Sequence, residues 1–199
     1  MAAASGDLTR SGDLRITELT AGDWPLFERL LGPNGLQGGC WCAWYRMTSR
    51  QYRETGPDEH KAHVRDEVRA GKPLGLLGIL DDEPVAWVAV SPRLDNPRLA
   101  TSRVAALPDD DPTDVWSVTC FYVHRRARGQ GIAAAMLRAA TRHAFDRGAR
   151  VVEGYPVDGS KKRPAGELYH GTIEMFSAAG FDLTARRDTV RALMRISAR

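Results

Sequence analysis

The 199-residue sequence is poor in several things that would each have pointed somewhere. Cysteine occurs three times, at Cys40, Cys42 and Cys120. An odd number without framework spacing argues against a disulfide-stapled scaffold and for a reducing compartment. No apolar run approaches the roughly 18–20 residues that span a bilayer. The opening "MAAASGDLTRSGD" lacks the basic and apolar blocks of a secretion signal, so residues 1–13 read as a flexible tail on a cytoplasmic protein. Net charge is slight. Against 28 Lys and Arg stand 25 Asp and Glu, leaving +3, which gives no reason to expect nucleic acid as a partner. Internal repeats are absent. What remains, 43% hydrophobic and 27% charged, can bury a core without metal, and residues 14–199 read as one domain.

Within that domain the punctuation is clear. "LRITELT" alternates as a strand does, and Thr20 with Asp23 announces a helix that Gly32 and Pro33 close. "PDEHKAHVRDEVRAG" is a charged helix with Pro57 in its first turn and a narrow apolar stripe at Val64 and Val68. Two apolar runs around Asp81-Asp82-Glu83 form a hairpin, and a proline-punctuated excursion fills 91–114. "VWSVTCFYV" is a strand. Gly131 to Arg147 is helical, with Ile132, Ala135, Met136, Ala139, Ala140 and His143 on one face. A strand ("ARVVEGYPV"), a mostly helical segment ("AGELYHGTIEMFSAAG") and two strands around Arg187-Asp188 follow. The expected architecture is α/β: a mixed, mostly antiparallel sheet with helices on both faces.

The chemistry concentrates in "HRRARGQGIAAAML" (His124–Leu137). A strand ends at Val123, and a loop brings Gly129 and Gly131 to the first turn of a helix. Early helical amides have no partners within the helix, and the helix dipole favours an anion there. Glycine lets backbone approach closely, and Arg125, Arg126 and Arg128 add positive charge. Together they describe a diphosphate cradle. "GQGIAA" also fits the dinucleotide fingerprint, with Glu153 in the following strand. Against that reading, "HRRAR" separates the strand from the first glycine, and too few further βα units follow. "GYPVDGSKKR" imitates a P-loop but puts Ser160 before Lys161, the wrong order.

The same stretch resembles the signature of the GNAT N-acetyltransferase superfamily, Q/R-x-x-G-x-G/A, as Arg128-Gly129-Gln130-Gly131-Ile132-Ala133. Element order agrees over roughly Leu14 to Ile196, down to a closing helix that ends in Gly180-Phe181. The resemblance implies a GNAT-like fold, acetyl-CoA (coenzyme A) as cosubstrate, and no metal. It places the diphosphate on the backbone of Gly129, Gln130, Gly131, Ile132 and Ala133 with charge from Arg128, and the pantetheine arm along Phe121, Tyr122 and Val123. The implied reaction is direct transfer of an acyl group, acetyl above all, to a primary amine of a small molecule or peptide. A homodimer is compatible with it; nucleic acid and membrane are not expected as partners.

Catalytic groups are less plain. The family's proton donor, a tyrosine four residues before the Gly of Gly-Phe, falls here on Phe176, which has no proton to give. Tyr169, two turns earlier if the helix is continuous, is either its substitute or a packing residue. The strand "WSVTCFYV" offers no carboxylate as base. Glu153 in the next strand is the candidate, with a salt-bridged structural glutamate as the alternative. Cys120 reads as a small buried hydrophobe. "GGCWCAWYRM" offers Trp41, Trp44 and Tyr45 as an apolar or cation-binding wall of the acceptor pocket and Arg46 as a clamp for an acceptor carboxylate, or else a plug over the sheet. The missing acid and base leave a second reading, a CoA-binding sensor with little catalysis.

Overall fold

The computed structural model describes residues 10–11, 14–106, 111–160, 168–186 and 190–198. Among them one eight-stranded sheet forms, in the order β1-β2-β3-β4-β5-β6-β8-β7. The strands are β1 Arg10–Ser11, β2 Leu14–Glu18, β3 Gly75–Leu80, β4 Glu83–Pro92, β5 Val115–Val123, β6 Val151–Gly154, β7 Asp182–Arg186 and β8 Ala192–Ser197. Every pairing is antiparallel except β5 with β6. The expected mixed, mostly antiparallel sheet is therefore what forms. Two elements were not foreseen. Arg10–Ser11 of the expected tail pairs with β2, and a short helix, α2 (Ser49–Glu54), follows the aromatic stretch, capped by Thr48 and Gln51.

Local chemistry accounts for the frame. Leu80 pairs with Glu83, so Asp81 and Asp82 alone make the β3–β4 turn, both with positive φ (50° and 60°). That is the tight turn whose twist matches a hairpin, and aspartate tolerates it. In β4 and β5 alternate residues face opposite ways. Val88, Val90, Val118 and Phe121 pack with Met136, Leu137 and Ala140 of α4 (Ile132–Asp146) and Phe176 of α5 (Ile173–Ala178). Leu77, Trp87 and Ala89 pack with Phe27 and Leu30 of α1 (Trp24–Leu31) and Val64 and Val68 of α3 (Pro57–Arg69). Helices thus cover both faces, and the narrow stripe read on α3 is the stripe it buries. A third, smaller core joins Tyr45, Leu99, Val104, Tyr155 and Leu193 beneath the excursion after β4.

Two departures from regularity lie in β5. Ala89 pairs with Cys120 but Val90 with Val118, so Thr119 is an extra residue, a bulge. On its other edge β5 pairs with β6 only from Val115 to Val118. β6 ends at Gly154, and the chain turns away to isolated bridges at Val157 with Thr172 and Arg191. Residues 120–123 therefore keep β4 on one side and, among the described residues, have no strand on the other. Phe176 wedges under the parting: a side chain on Gly154 would lie 2.2 Å from its ring.

Candidate functional site

The glycine loop is built for its conformation. His124 opens a single 3-10 turn, Arg125–Ala127, whose Ala127 is buried, so the five residues after β5 anchor the loop. The Arg128 Nε donates to the Val123 carbonyl at 3.0 Å and folds the loop back on the strand. Gly129 and Gly131 both lie in the left-handed region, at φ 77° and 75°, with open space where a Cβ would be. Glycine is required here by backbone conformation, since space is no constraint. Gly131 caps α4, and the first intrahelical bond runs from Ala135 N to the Gly131 carbonyl. The amides of residues 132–134 therefore point out of the helix start without an intrahelical partner. Arg125 and Arg128 are exposed beside them.

A cavity of about 450 Å³ opens beside the bulge of β5. One wall comes from Leu36, Gln37, Gly38, Cys40, Cys42, Trp44, Tyr45 and Tyr52, the other from Thr119, Cys120, Tyr169 and His170. Trp44 and Tyr52 meet edge to face at 4.9 Å, and the Arg98 guanidinium lies over the Trp44 ring at 3.9 Å and near Tyr52 at 5.4 Å. Tyr169 faces Tyr122 of β5, ring centres 6.4 Å apart, and feels the charge of Arg128. It thus stands between the cavity and the glycine loop. All three thiols are free and face this cavity. Cys42 interacts with both Cys40 and Cys120, and these thiol contacts, with burial, hold the Cys40 and Cys42 thiols protonated.

His170 is a cavity residue that sequence reasoning missed. Its Nδ1 lies 3.1 Å from the Thr119 carbonyl, which can only accept, and its Nε2 lies 3.3 Å from Arg191 Nη1, which can only donate. The partners fix one neutral tautomer, with the proton on Nδ1. Burial, then the Arg191 charge, lowers its pKa to about 4. Arg191 also donates to the Tyr45 hydroxyl. Tyr52 was missed too. Neither residue stands near the glycine signature, and only tertiary contact marks them.

Several expectations are corrected. Tyr169 does not continue the last helix. It sits in a 3-10 turn, Leu168–His170, and Gly171 at φ 73° separates that turn from α5. The segment 161–167, with the basic Lys161, Lys162 and Arg163, lies outside the described residues. Glu153 is fully enclosed and does not line the cavity. Its carboxylate accepts from Arg93 Nη1 at 2.5 Å, Arg195 Nη2 at 2.6 Å, Ser117 Oγ at 3.1 Å and the Tyr155 hydroxyl. With its acceptor sites filled by two guanidiniums and two hydroxyls, it has no lone pair for a substrate proton and instead ties β6 to β5, β8 and the excursion. Trp41, 1% exposed, is a plug packed against Gly35 under Lys61. Arg46 is buried too, spent on Glu67, on Ser91 Oγ at 3.1 Å and on Asp95 at 3.8 Å, so it clamps no acceptor. The aromatic stretch divides: Trp41 and Arg46 belong to the core, Trp44 and Tyr45 to the wall. Phe176 is fully buried between Phe121 and Phe181.

A sequence model of the Acetyltransferase (GNAT) family matches residues 41–170, about two-thirds of the chain. No curated protein sequence matches it. Among solved structures, a GNAT-family acetyltransferase from Listeria monocytogenes superposes with a TM-score of 0.57 at 12% identity, over 96% of this chain and 99% of that one. The PaiA N-acetyltransferase of Thermoplasma acidophilum, solved with coenzyme A, gives 0.55 at 11%, over 94% and 100%. The GNAT domain of S. lividans PAT gives 0.53 at 17%, over 94% and 92%. At such identities the likeness is one of fold.

Proposed function

This chain belongs to the GNAT acetyltransferase family, and from that premise we propose that it transfers an acetyl group from acetyl-CoA directly to the amine of a small molecule or peptide. The observation that carries the reading is the pair of left-handed glycines at 129 and 131, which turn the open amides of α4 outward at the end of a strand that has lost its neighbour. Residues 129–133 fit a diphosphate by backbone donation, with Arg128 beside them. Along 121–123, the edge of β5 left open by β6 fits an amide-bearing pantetheine arm, which would pair with it as a strand does. The thioester would then reach the bulge at Thr119, at the floor of the cavity, where a backbone amide can polarise its carbonyl. When bound, the cosubstrate supplies the activated acyl group.

The amine nitrogen attacks the thioester carbon, the C–S bond breaks, and the nitrogen's proton ends on the CoA sulfur. Tyr169 is the group placed to pass that proton. Burial raises its pKa, so it keeps its hydroxyl proton at neutral pH. Glu153 has no part in the transfer. The test is calorimetric titration with acetyl-CoA and, separately, with NAD, followed by mass-spectrometric detection of acetylated product across an amine panel. Acetyl-CoA binding with product supports transfer. Binding without product on any amine supports a sensor, and NAD binding in place of acetyl-CoA overturns both.

A further inference from the structure

The cavity wall has an unusual charge pattern for a pocket that is to receive an amine. No carboxylate lines it among the described residues. A cation rests on its wall instead, Arg98 over the Trp44 ring and near Tyr52. An alkylammonium ion, with a pKa of about 10, would enter a low-dielectric site next to like charge. Aromatic faces often hold ammonium groups by cation–π attraction. Here the faces of Trp44 and Tyr52 already carry a guanidinium. Nor would an ammonium find a base among the described lining residues. The His170 Nε2 lone pair is taken by Arg191, and Cys40, Cys42, Tyr45, Tyr52 and Tyr169, their pKa values raised, hold their protons.

Resting on the acyltransferase reading, we infer that the acceptor is a flat, apolar amine whose nitrogen is uncharged at neutral pH, an arylamine or arylhydrazine. Delocalisation of the nitrogen lone pair into the ring makes such amines feeble bases, so no proton has to be removed before attack. The aromatic lining of Tyr45, Tyr52 and Tyr169 suits an apolar ring, and about 450 Å³ accommodates it beside the acyl end of the cosubstrate. The step balances without an added base: the N–C bond forms, the C–S bond breaks, and the single proton lost by nitrogen protonates the CoA thiolate.

The test offers the full chain acetyl-CoA with 4-methoxyaniline, phenethylamine or spermidine, and follows each acetylated product by mass spectrometry from pH 6.5 to 8.5. The expected result is a kcat/KM for the aniline at least 100-fold above that for phenethylamine at pH 7. The aniline rate should be flat over this range, whereas the phenethylamine rate should climb about tenfold per pH unit as free amine appears. Tyr52→Ala should raise the aniline KM about tenfold with acetyl-CoA affinity unchanged, and Tyr52→Phe should restore it. Preference for phenethylamine or spermidine overturns the inference and leaves the transferase reading in place. Acetyl-CoA binding with no product from any of the three also overturns it. Failure to bind acetyl-CoA at all overturns both.

Discussion

The glycine loop and the aromatic cavity are neighbours along β5, yet they are made in different ways. The loop is a contiguous run, His124 to Ala133, whose shape follows from two glycines, one arginine bond to the Val123 carbonyl and a helix start. The cavity is assembled from three separate segments, between residues 36 and 52, at 119–120 and at 169–170, and none of them has a defining motif. The first kind of site tolerates change around it and fails when its own backbone changes. The second depends on a fold that keeps distant segments in register. Glu153 shows how the two are confused: a carboxylate beside the reaction path in sequence terms is, in space, the tie that holds the register.

The largest effect expected is therefore on stability. Glu153→Gln leaves Arg93 and Arg195 facing each other without their shared counter-charge, and urea unfolding at pH 7 should show a loss of about 3–5 kcal/mol. The protein that remains folded should keep its kcat within a few-fold. A large kcat loss in folded protein would move Glu153 back into the chemistry.

Next comes the loop. Ala at both 129 and 131 forces L side chains into φ near +75°, at roughly 1–2 kcal/mol each. Acetyl-CoA affinity by calorimetry should fall at least 100-fold. Gly148→Ala, at φ 88° with equally open space, carries the same backbone penalty away from the site. It should lower the melting temperature and leave affinity unchanged. Equal affinity loss in both variants would mean that the loop contributes only stability.

Tyr169→Phe tests the junction between the two regions. It should lower kcat about 10- to 100-fold with KM for acetyl-CoA unchanged, since the ring still packs on Tyr122. An unchanged kcat would return Tyr169 to a packing role.

The smallest effect concerns two buried histidines. Both His143, which packs on Trp116, and His170 titrate near 4 instead of 6.5, lowered first by burial and then by Arg147 and Arg191 respectively. Between pH 6.5 and 4 the unfolded chain binds protons that the folded chain does not. Stability is therefore full above about 6.5 and falls as pH drops toward 4. His143→Gln should reduce the loss between pH 7 and pH 5, measured by urea unfolding, by about 1–2 kcal/mol. His170 remains to titrate in that variant, so a residual slope is expected.

Residue order alone set what depends on neighbours in the chain. The alternation of β2, the two-aspartate hairpin, the Val64–Val68 stripe and the Gly129–Gly131 cradle are all conformational preferences of short segments, and each is readable as such. It did not reveal that Tyr169 belongs to a turn, because a glycine can continue a helix or end it, and only the folded chain shows Gly171 at φ 73°. Nor did it separate Trp44 from Trp41, or Tyr45 from Arg46, since adjacent residues in an irregular loop carry no periodicity to say which faces inward. Those assignments, the partners of Glu153, and the meeting of Cys40 and Cys42 with Cys120 and His170 were decided only by tertiary structure. Burial and charge pairing between segments far apart in sequence are set when the sheet closes, and no local pattern encodes them.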